Sequence, residues 1–246
     1  MKSQKALTIN PIGYIESPYK EKFAIPRQPG LVTAAKGKVI LTGKANNAEL
    51  VKGLAQFSHI WLLFVFHGTQ EKGWKNFVRP PRLGGNKKIG VLATRSTFRP
   101  NPIGMSVVKL ESIELITQQV ILHISGLDLL DQTPIIDIKP YVAYSDALSD
   151  TKAGFANSQP EAKINVSFTS QAQLALTKFC KQIPELALLI EQVLMQDPRP
   201  AYRQGKADNK IYGMRLYHLN IQWQMQTLNN VLVSVITSEP PLVQSE

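Results

Sequence analysis

The sequence predicts a mainly β protein in which a curved or barrel-like sheet precedes a smaller α+β region. Three observations support this prediction. Apolar runs of strand length recur over roughly the first 145 residues, none of them leads into a clear amphipathic helix, and helically spaced apolar residues begin only at Gln171. We therefore expect one domain over residues 1–150 and a second over residues 163–240, with the polar segment 146–162 as a linker.

The strands of the first domain are expected to pair mostly antiparallel. The clearest strand is the apolar run Ile60–Phe66, which we expect to be central and buried on both faces. The other runs that predict strands are Lys38–Leu41, Ile89–Ala93, Met105–Ile116 and Gln119–Ile124. Because only a short polar turn separates the last two, they are expected to form a hairpin.

The second domain combines predicted helices and strands. Apolar residues at helical spacing predict helices over Gln171–Gln182 and Pro184–Met195, with Pro184 at the first helical position. A rigid, proline-containing loop over 196–203 follows the helices. The strands predicted to close the chain are Ile211–Gln226 and Val231–Thr237.

The charge of the chain is positive and unevenly distributed. Its 246 residues carry a formal net charge of +10, which favours a polyanionic partner, although a basic protein without such a partner fits the total equally well. Between Thr69 and Lys109, nine basic residues are opposed only by Glu71, whereas eight acidic residues face two lysines between Leu110 and Glu161. A basic block of this kind is able to follow the phosphates of a nucleic acid.

Several classes of site and location are disfavoured. The histidines lack the spacing of metal ligands, so no metal is expected. The sequence has neither a P-loop nor the glycine-rich turn of dinucleotide-binding folds. The run Ile60–Phe66 is too short to cross a bilayer, so no membrane association is expected. The single cysteine, Cys180, fits a reducing cytoplasm.

The densest polar motif is Gly90–Gly104, where a strand runs into a polar loop, a Pro-Asn-Pro corner and a second strand. Arg95 and Arg99 lie in this loop, and the planar fork of an arginine suits a carboxylate or a phosphate. A solvated loop with surface charges is the alternative. The two prolines and the flanking apolar strands favour a functional site.

Two further positions have both a functional and a structural interpretation. Asp137 and Lys139 alternate with isoleucines, so a half-buried strand places both on one face, either as site residues or as a structural ion pair. His67 ends the apolar run and precedes a glycine, where a histidine serves as a base, as a ligand contact or only as a structural residue. The residues alone leave both choices open.

Five motifs together resemble the TrmO family, also described as YaeB or TsaA-like. The most specific is the Gly90–Gly104 fingerprint, G-x-x-x-x-R-S-x-x-R-P-N-P-I-G. The others are IPRQPG at 25–30, FSHIW at 57–61, DIKPY at 137–141 and DPRPAY at 197–202. The resemblance covers nearly the whole chain, including a C-terminal region typical of bacterial members.

This resemblance implies a fold and an activity. Members of the family have a single-sheeted β-barrel, form homodimers and are S-adenosylmethionine-dependent tRNA methyltransferases. They methylate N6 of N6-threonylcarbamoyladenosine at position 37, beside the anticodon of threonine tRNA, giving N6-methyl-N6-threonylcarbamoyladenosine. The alternatives for this chain are a tRNA-binding protein without catalytic activity, a methyltransferase of another RNA or of a small molecule, and a cofactor-binding regulator.

The resemblance also implies site residues. Cofactor contacts are expected from Pro26, Arg27, Gln28, His67, Gly68, Arg95, Met105, Leu130, Asp131, Gln132 and Thr133. Substrate contacts are expected from Arg99, Asn101, Lys139, Tyr141, Arg199 and Tyr202. Arg99, with Arg27 as a second candidate, is expected to bind the threonyl carboxylate. The loops 79–88 and 197–203 are expected to contact the tRNA backbone.

The implied reaction requires a proton acceptor. The attacked nitrogen is bonded to both an adenine ring and a carbonyl, so its lone pair is delocalised and its proton has to leave. The candidates for the catalytic base are His67, Asp137 and Asp131. His67 ranks first because a neutral imidazole suits pH 7.

Overall fold

The first half of the chain forms strands that alternate with long loops. The computed structural model describes residues 7–160, 164–200, 203–206 and 208–239. Its first eight strands are β1 Gly13–Glu16, β2 Lys36–Leu41, β3 His59–Val65, β4 Phe77–Val78, β5 Ile89–Gly90, β6 Ile103–Ile116, β7 Gln119–Ser125 and β8 Pro134–Pro140. A short helix, α1 Ala143–Asp146, follows them.

Six of these strands close into a barrel in the order β1-β2-β7-β6-β3-β8. Every neighbouring pair is antiparallel, including β1 with β8, which closes the sheet on itself. The remaining pair, β4 and β5, forms a separate two-stranded ribbon inside the loop between β3 and β6. The predicted mainly β fold with a single-sheeted barrel is thus confirmed.

Strand β3 has one buried face rather than two. Ile60, Leu62 and Phe64 point into the barrel and are buried, whereas Trp61 and Leu63 lie on the outer wall and are half-buried. The expectation of burial on both faces is therefore wrong. An antiparallel barrel has its core on one side of the sheet only, so even a continuous apolar run alternates between core and surface.

The hairpin predicted from two apolar runs is confirmed as β6 and β7. A two-residue turn joins them, with Gln118 at a φ of 65°. Gly104, near the start of β6, is required by packing because a Cβ atom there would overlap the ring of Phe64.

The segment Ile89–Ala93, predicted as a strand, is not a full strand. Only Ile89–Gly90 finds a partner in β4, and Val91–Ala93 forms a 3-10 turn, because this segment lies outside the barrel wall.

The C-terminal region contains a four-stranded sheet with two helices. Its elements are β9 Asn165–Phe168, α2 Ser170–Phe179, α3 Leu186–Met195, β10 Ile211–Leu216, β11 Leu219–Thr227 and β12 Asn230–Ser238. The strand order is β10-β11-β12-β9, with β9 parallel to β12 and the other pairs antiparallel. The two predicted helices are present. Helix α2 is capped by Thr169, whose hydroxyl accepts from the Ala172 amide.

Two details of this region differ from the sequence prediction. Helix α3 begins at Leu186 and not at Pro184, because the Leu186 amide first closes a turn with the Ile183 carbonyl. The single strand predicted over 211–226 is a hairpin that turns at Tyr217, which has a φ of 55°. The Tyr217 amide donates to the Pro18 carbonyl at 2.8 Å, so a contact with the barrel half stabilises the turn.

The segment between β1 and β2, residues 17–35, packs against the C-terminal region. Tyr19 is fully buried and forms an isolated β-bridge with Leu216. The Ala34 amide donates to Gln192 Oε1 at 2.9 Å, and Lys36 pairs with Glu185 at 2.8 Å. Buried apolar side chains from both halves belong to one hydrophobic core. The conformation of this segment therefore depends on both halves of the molecule.

One acidic side chain lies at the end of the barrel interior. Asp128 follows β7 and is flanked by Leu127 and Leu129, which are buried. Its Oδ1 atom accepts a hydrogen bond from Ser106 Oγ at 2.6 Å, and Ser106 points inward from β6. Burial raises the pKa of Asp128 to about 6, while the Ser106 hydrogen bond and the positive charge of Arg95 act in the opposite direction.

This raised pKa predicts a pH-dependent stability. The folded state binds the Asp128 proton more tightly than the unfolded state, so the ionised carboxylate costs stability as the pH rises through about 6. The free energy of unfolding of Asp128→Asn, taken relative to that of the wild type, should therefore depend on pH. It should be higher at about pH 7.5 than at about pH 4.5 by on the order of 1–2 kcal/mol. Urea unfolding at both values measures this difference. The exposed Asp150→Asn is the control, and an equal pH response in both variants would contradict the prediction.

Candidate functional site

Three long loops emerge at one end of the barrel, here called the loop-bearing end. They are 17–35 between β1 and β2, 66–102 between β3 and β6, and 126–133 between β7 and β8. Because neighbouring barrel strands are antiparallel, these alternate connections fall on the same side. Backbone hydrogen bonds join the loops, including Gly30 N to Gly126 O at 2.8 Å and Asp131 N to Tyr19 O at 2.9 Å. Most of the sequence-predicted cofactor contacts lie on these loops.

The fingerprint loop meets the PRQ motif through Arg95. The Arg95 guanidinium donates to Gln28 Oε1 at 2.7 Å across two different loops, and both residues keep surface exposure. Arg99 is held differently, because its Nη1 atom donates to the Thr94 carbonyl at 2.9 Å and lies 3.4 Å from the Ser96 carbonyl. Arg95 therefore presents its charge at the surface of the loop-bearing end, whereas Arg99 braces the fingerprint loop from within.

His67 and Gly68 begin the 66–102 loop directly after β3. They start a 3-10 helix over His67–Lys72, and the Phe66 amide donates to the Pro102 carbonyl at 2.8 Å, which draws the two ends of this loop together. A Cβ atom at Gly68 would lie 3.5 Å from Leu130 Cδ2. The structure thus brings Gly68 against Leu130, so that a glycine backbone and an apolar side chain form a continuous surface beside His67.

The residues after Leu130 differ in what they offer. Asp131 is already engaged, because its Oδ1 accepts from the Ser17 amide at 2.8 Å and its Oδ2 lies 2.6 Å from Lys20 Nζ. Thr133 is buried, and its hydroxyl donates to the Leu130 carbonyl at 2.6 Å. Gln132 is exposed and has a φ of 62°. Asp131 and Thr133 therefore fix this loop, and Gln132 faces outward.

The C-terminal loop beginning at Asp197 comes close to the PRQ motif. Pro26 is buried and Arg27 is exposed over the residue as a whole. Protein atoms around the Arg27 guanidinium lower its pKa by partial burial, and the negative charge of Asp197 opposes this shift. The loop of the second region therefore supplies part of the electrostatic environment of Arg27.

Arg199 supports this loop from inside. Its side chain is fully buried and forms a fork with Asp197, through Nε to Oδ1 at 2.7 Å and Nη2 to Oδ2 at 2.8 Å. Its Nη1 atom donates to the Lys206 carbonyl at 2.7 Å. In this chain the guanidinium is shielded and bonded within its own loop, and the expected contact of Arg199 with substrate stays a prediction. Tyr202 lies outside the residues that the structure describes.

Four predicted site residues lie away from the loop-bearing end or on the outer wall. Asp137 is on the outside of β8, half-exposed, and pairs with Lys139 at 2.8 Å. Strand β8 starts at the loop-bearing end with Pro134, so Asp137 lies about 10 Å and Tyr141 about 23 Å along it. Met105 is 51% exposed on the outer wall opposite Leu63. Within one chain, the length of β8 separates Asp137 and Tyr141 from the loop-bearing end, and the site roles expected for these four residues stay predictions.

Asn101 remains close to the loop-bearing end, at the corner that leads into β6. Its carbonyl accepts from the Ile103 amide at 2.7 Å, which closes a tight turn.

Asp128 is a residue of the loop-bearing end that the sequence analysis did not single out. Its carboxylate lies at the end of the barrel interior and interacts electrostatically with Arg95. An isolated acid among leucines, directly before the 130–133 segment, is the signal that could have revealed it.

A groove of about 830 Å³ runs along the outer barrel wall. It extends from Pro29, Gly30 and Gly126 on the long loops to the start of α3, near Glu185 and Leu188. The charged side chains along it pair with each other, as in Lys109–Glu111 at 2.9 Å. Over the described residues there is no cluster of metal-ligating side chains. Nor does that part of the chain contain a helix long and apolar enough to cross a membrane.

Comparisons with known proteins agree with this architecture. A model of the tRNA-methyltransferase O N-terminal domain matches residues 14–147, and a model of the TrmO C-terminal domain matches residues 161–239. The chain is 53% identical over 214 residues to the tRNA (adenine(37)-N6)-methyltransferase of Escherichia coli (strain K12), covering 87% of this chain and 91% of that protein. It is 48% identical over 217 residues to RcsF of Pseudomonas aeruginosa, named as an S-adenosylmethionine-dependent methyltransferase, covering 88% and 91%.

Solved structures lead to the same family. A crystal structure of TrmO from Pseudomonas aeruginosa superposes with a TM-score of 0.78 at 38% sequence identity, covering 95% of this chain and 100% of that one. Both the family models and the relatives span the barrel as well as the C-terminal region. The chain therefore belongs to the TrmO family of tRNA methyltransferases.

Proposed function

We propose that this chain transfers the methyl group of S-adenosylmethionine to N6 of N6-threonylcarbamoyladenosine at position 37 of threonine tRNA. The observation that carries this proposal is the convergence at the loop-bearing end of Gln28, His67, Arg95 and Leu130, which come from three different loops. The relative from Escherichia coli is named for methylation of an adenine at the same tRNA position. With such a substrate, we expect the chain to act in the cytoplasm.

The loop-bearing end fits the cofactor chemically. Arg95 offers an exposed guanidinium fork for the carboxylate of the methionyl group, and Gln28 fixes its direction. Gly68 and Leu130 offer a flat apolar surface suited to an adenine ring, beside the outward-facing Gln132. When bound there, the cofactor supplies an electrophilic methyl group on a positively charged sulfur. The chain itself has to orient the acceptor nitrogen and receive its proton.

His67 is the residue that we assign as proton acceptor. It lies at the mouth of the barrel, and the ring nitrogen of a neutral imidazole is able to accept the N6 proton as the new carbon–nitrogen bond forms. The two acids considered from sequence are less suitable. Asp131 is bound by Lys20 and the Ser17 amide, and Asp137 points away on the outer wall.

Recognition of the threonyl carboxylate is assigned to Arg27 in preference to Arg99. Arg27 is exposed and lies next to Gln28, which accepts a hydrogen bond from Arg95 of the fingerprint loop. Arg99, by contrast, uses its Nη1 atom to donate to backbone carbonyls. A site built to bind this carboxylate would discriminate against unmodified adenosine, because its charged donors would remain unpaired. Arg199 supports the neighbouring loop from inside.

The chain is also proposed to act as a homodimer. The outer wall of β3 and β6 near the loop-bearing end is apolar, with Leu63 opposite Met105 and Val65 opposite Ile103. Met105 is 51% exposed and Ile103 is 36% exposed, which is unusual for neighbouring apolar side chains on a strand pair. A second copy of the chain would bury this surface. Sedimentation of the full chain measures the state directly, and a monomer at micromolar concentration would contradict it.

The proposed reaction is tested by mass spectrometry of nucleosides. Threonine tRNA that carries N6-threonylcarbamoyladenosine should gain one methyl group per modified base when incubated with the chain and S-adenosylmethionine. The same tRNA without the threonylcarbamoyl group should remain unchanged. Tight tRNA binding without methyl transfer would identify a non-catalytic tRNA-binding protein, and methylation of another RNA would identify a different substrate.

The assigned base predicts a selective rate loss. At saturating cofactor, His67→Ala should lower the single-turnover rate by roughly 10²–10⁴-fold, because proton removal accompanies methyl transfer. His123→Ala is the matched control, since His123 pairs with Glu114 on the outer wall. An unchanged single-turnover rate in His67→Ala would assign the proton to another acceptor.

The assigned cofactor contact predicts a loss of binding. Arg95→Lys keeps the positive charge but loses the planar fork, so the affinity for S-adenosylmethionine should fall roughly 10- to 100-fold in titration calorimetry. Arg79→Lys, an exposed change in the basic part of the same loop, should leave this affinity unaltered. Equal affinities in both variants would place the cofactor elsewhere.

A further inference from the structure

The segment Lys72–Phe77 displays two aromatic rings at the surface. Trp74 is 58% exposed and Phe77 is 61% exposed, and every residue between Lys72 and Phe77 is exposed. Large aromatic side chains normally lose most of their exposure on folding because each contributes substantial burial energy. Their exposure here is not explained by packing within the described part of the chain.

The segment is anchored, although its side chains are exposed. The Lys75 amide donates to the Phe98 carbonyl at 3.1 Å, and the Val91 amide donates to the Asn76 carbonyl at 3.0 Å. Phe77 itself pairs with Gly90 in the β4–β5 ribbon. The backbone that carries both rings is therefore anchored, which lowers the entropic cost of binding a partner there.

The same segment is connected to the candidate site. The Phe98 ring lies 4.6 Å from Lys75 Nζ and 5.9 Å from Lys22 Nζ, so it links the segment to the loop that carries the PRQ motif. Phe98 directly precedes Arg99 in the fingerprint, and the 3-10 helix over His67–Lys72 leads directly into the segment. The two exposed rings thus belong to the loop that carries His67 and Arg95.

The charges around the rings identify the chemistry of the partner. The exposed basic side chains that flank them in the loop are Lys72, Lys75, Arg79, Arg82, Lys87 and Lys88. Glu71 is the acidic residue among them. A protein interface with a similar apolar content is usually poor in lysine at its centre, whereas fixed aromatic rings among cations are typical of surfaces that bind single-stranded nucleic acid.

We propose that Trp74 and Phe77 form a stacking platform for unpaired bases of the tRNA anticodon loop, with the surrounding lysines and arginines on the adjacent phosphates. This inference rests on the proposed function, and it names the surface on which the unpaired bases bind. Stacking on an aromatic ring stabilises a bound base whatever its identity, since every base has a π-face. Bases next to position 37 would then be held outside their own stack while the modified adenosine enters the site.

The platform is tested with a fluorescently labelled anticodon stem–loop RNA. Trp74→Ala and Phe77→Ala should each lower its affinity roughly 5- to 100-fold, whereas Trp74→Phe should retain most of it. The slope of affinity against salt should stay unchanged in these variants, and Lys72→Ala should reduce that slope by about 0.7. Tyr144→Ala is the control, because Tyr144 is 92% exposed beyond the opposite end of the barrel.

Methyl transfer gives a second readout. The alanine variants should raise KM for tRNA while S-adenosylmethionine binding and the rate at saturating tRNA remain near the wild-type values. If a variant that combines Trp74→Ala with Phe77→Ala bound RNA with the wild-type affinity, the platform would be overturned. The platform would also be overturned if the alanine variants kept the wild-type RNA affinity but had a lower mass in sedimentation. That result would assign the two rings to contacts with a second copy of the chain.

The two proposals fail in distinguishable ways. If the wild type methylates tRNA but the variants bind and react normally, only the platform is overturned. If the wild type transfers no methyl group while RNA binding still depends on Trp74 and Phe77, the proposed reaction fails and the platform is supported.

Discussion

Closure of the barrel between β1 and β8 is the constraint on which the rest of the structure depends. The seam is short, with Gly13 opposite Ile135 and Tyr14 opposite Pro134. On the other side of β1, the close approach of β2 requires glycine at position 13, because a Cβ atom there would overlap the Ile40 carbonyl oxygen. Closure brings the end of β1 beside the start of β8. The loops that follow are then joined by Ser17 N to Asp131 Oδ1 and by Ser17 Oγ to the Leu129 carbonyl, both at 2.8 Å. Without this seam, the loops that carry the candidate site would have no fixed relation to one another.

The C-terminal region also holds the 17–35 segment in place, through contacts between residues that are distant in sequence. Glu21 accepts from the Arg215 amide at 2.9 Å, and Tyr19 is buried against Leu216. The same region brings Asp197 into the electrostatic environment of Arg27, with the buried Arg199 holding Asp197 in place. A buried charge of this kind needs its full set of partners, because removing one leaves an uncompensated ion. The second region is therefore part of the site's support even where it contributes no contact to the ligand.

Two charge environments meet at the loop-bearing end. The 66–102 loop displays cations and aromatic rings to solvent, which suits a polyanion whose bases are unpaired. Beneath it, Asp128 is held by Ser106 among apolar side chains, so its carboxylate faces the cationic surface from inside the barrel. Arg95 lies between the two, bonded outward to Gln28 and attracted inward by Asp128. The proposed S-adenosylmethionine-binding surface therefore requires no glycine-rich turn, because the direction of Arg95 comes from neighbouring loops.

The sequence by itself determined the mainly β class, the β6–β7 hairpin, the two C-terminal helices and the clustering of basic residues, since these follow from local periodicity and composition. Its motifs also identified the family, and most of the cofactor contacts that they predict lie on loops of the loop-bearing end. It could not place Asp137 and Tyr141 away from His67, detect Asp128 as a half-buried acid with a raised pKa, or divide 211–226 into a hairpin at Tyr217. Only the tertiary structure decided these points. Strand pairing decides which end of the barrel a residue reaches, burial sets the ionisation of a carboxyl, and the Tyr217 turn is stabilised by a contact with Pro18, which is distant in sequence.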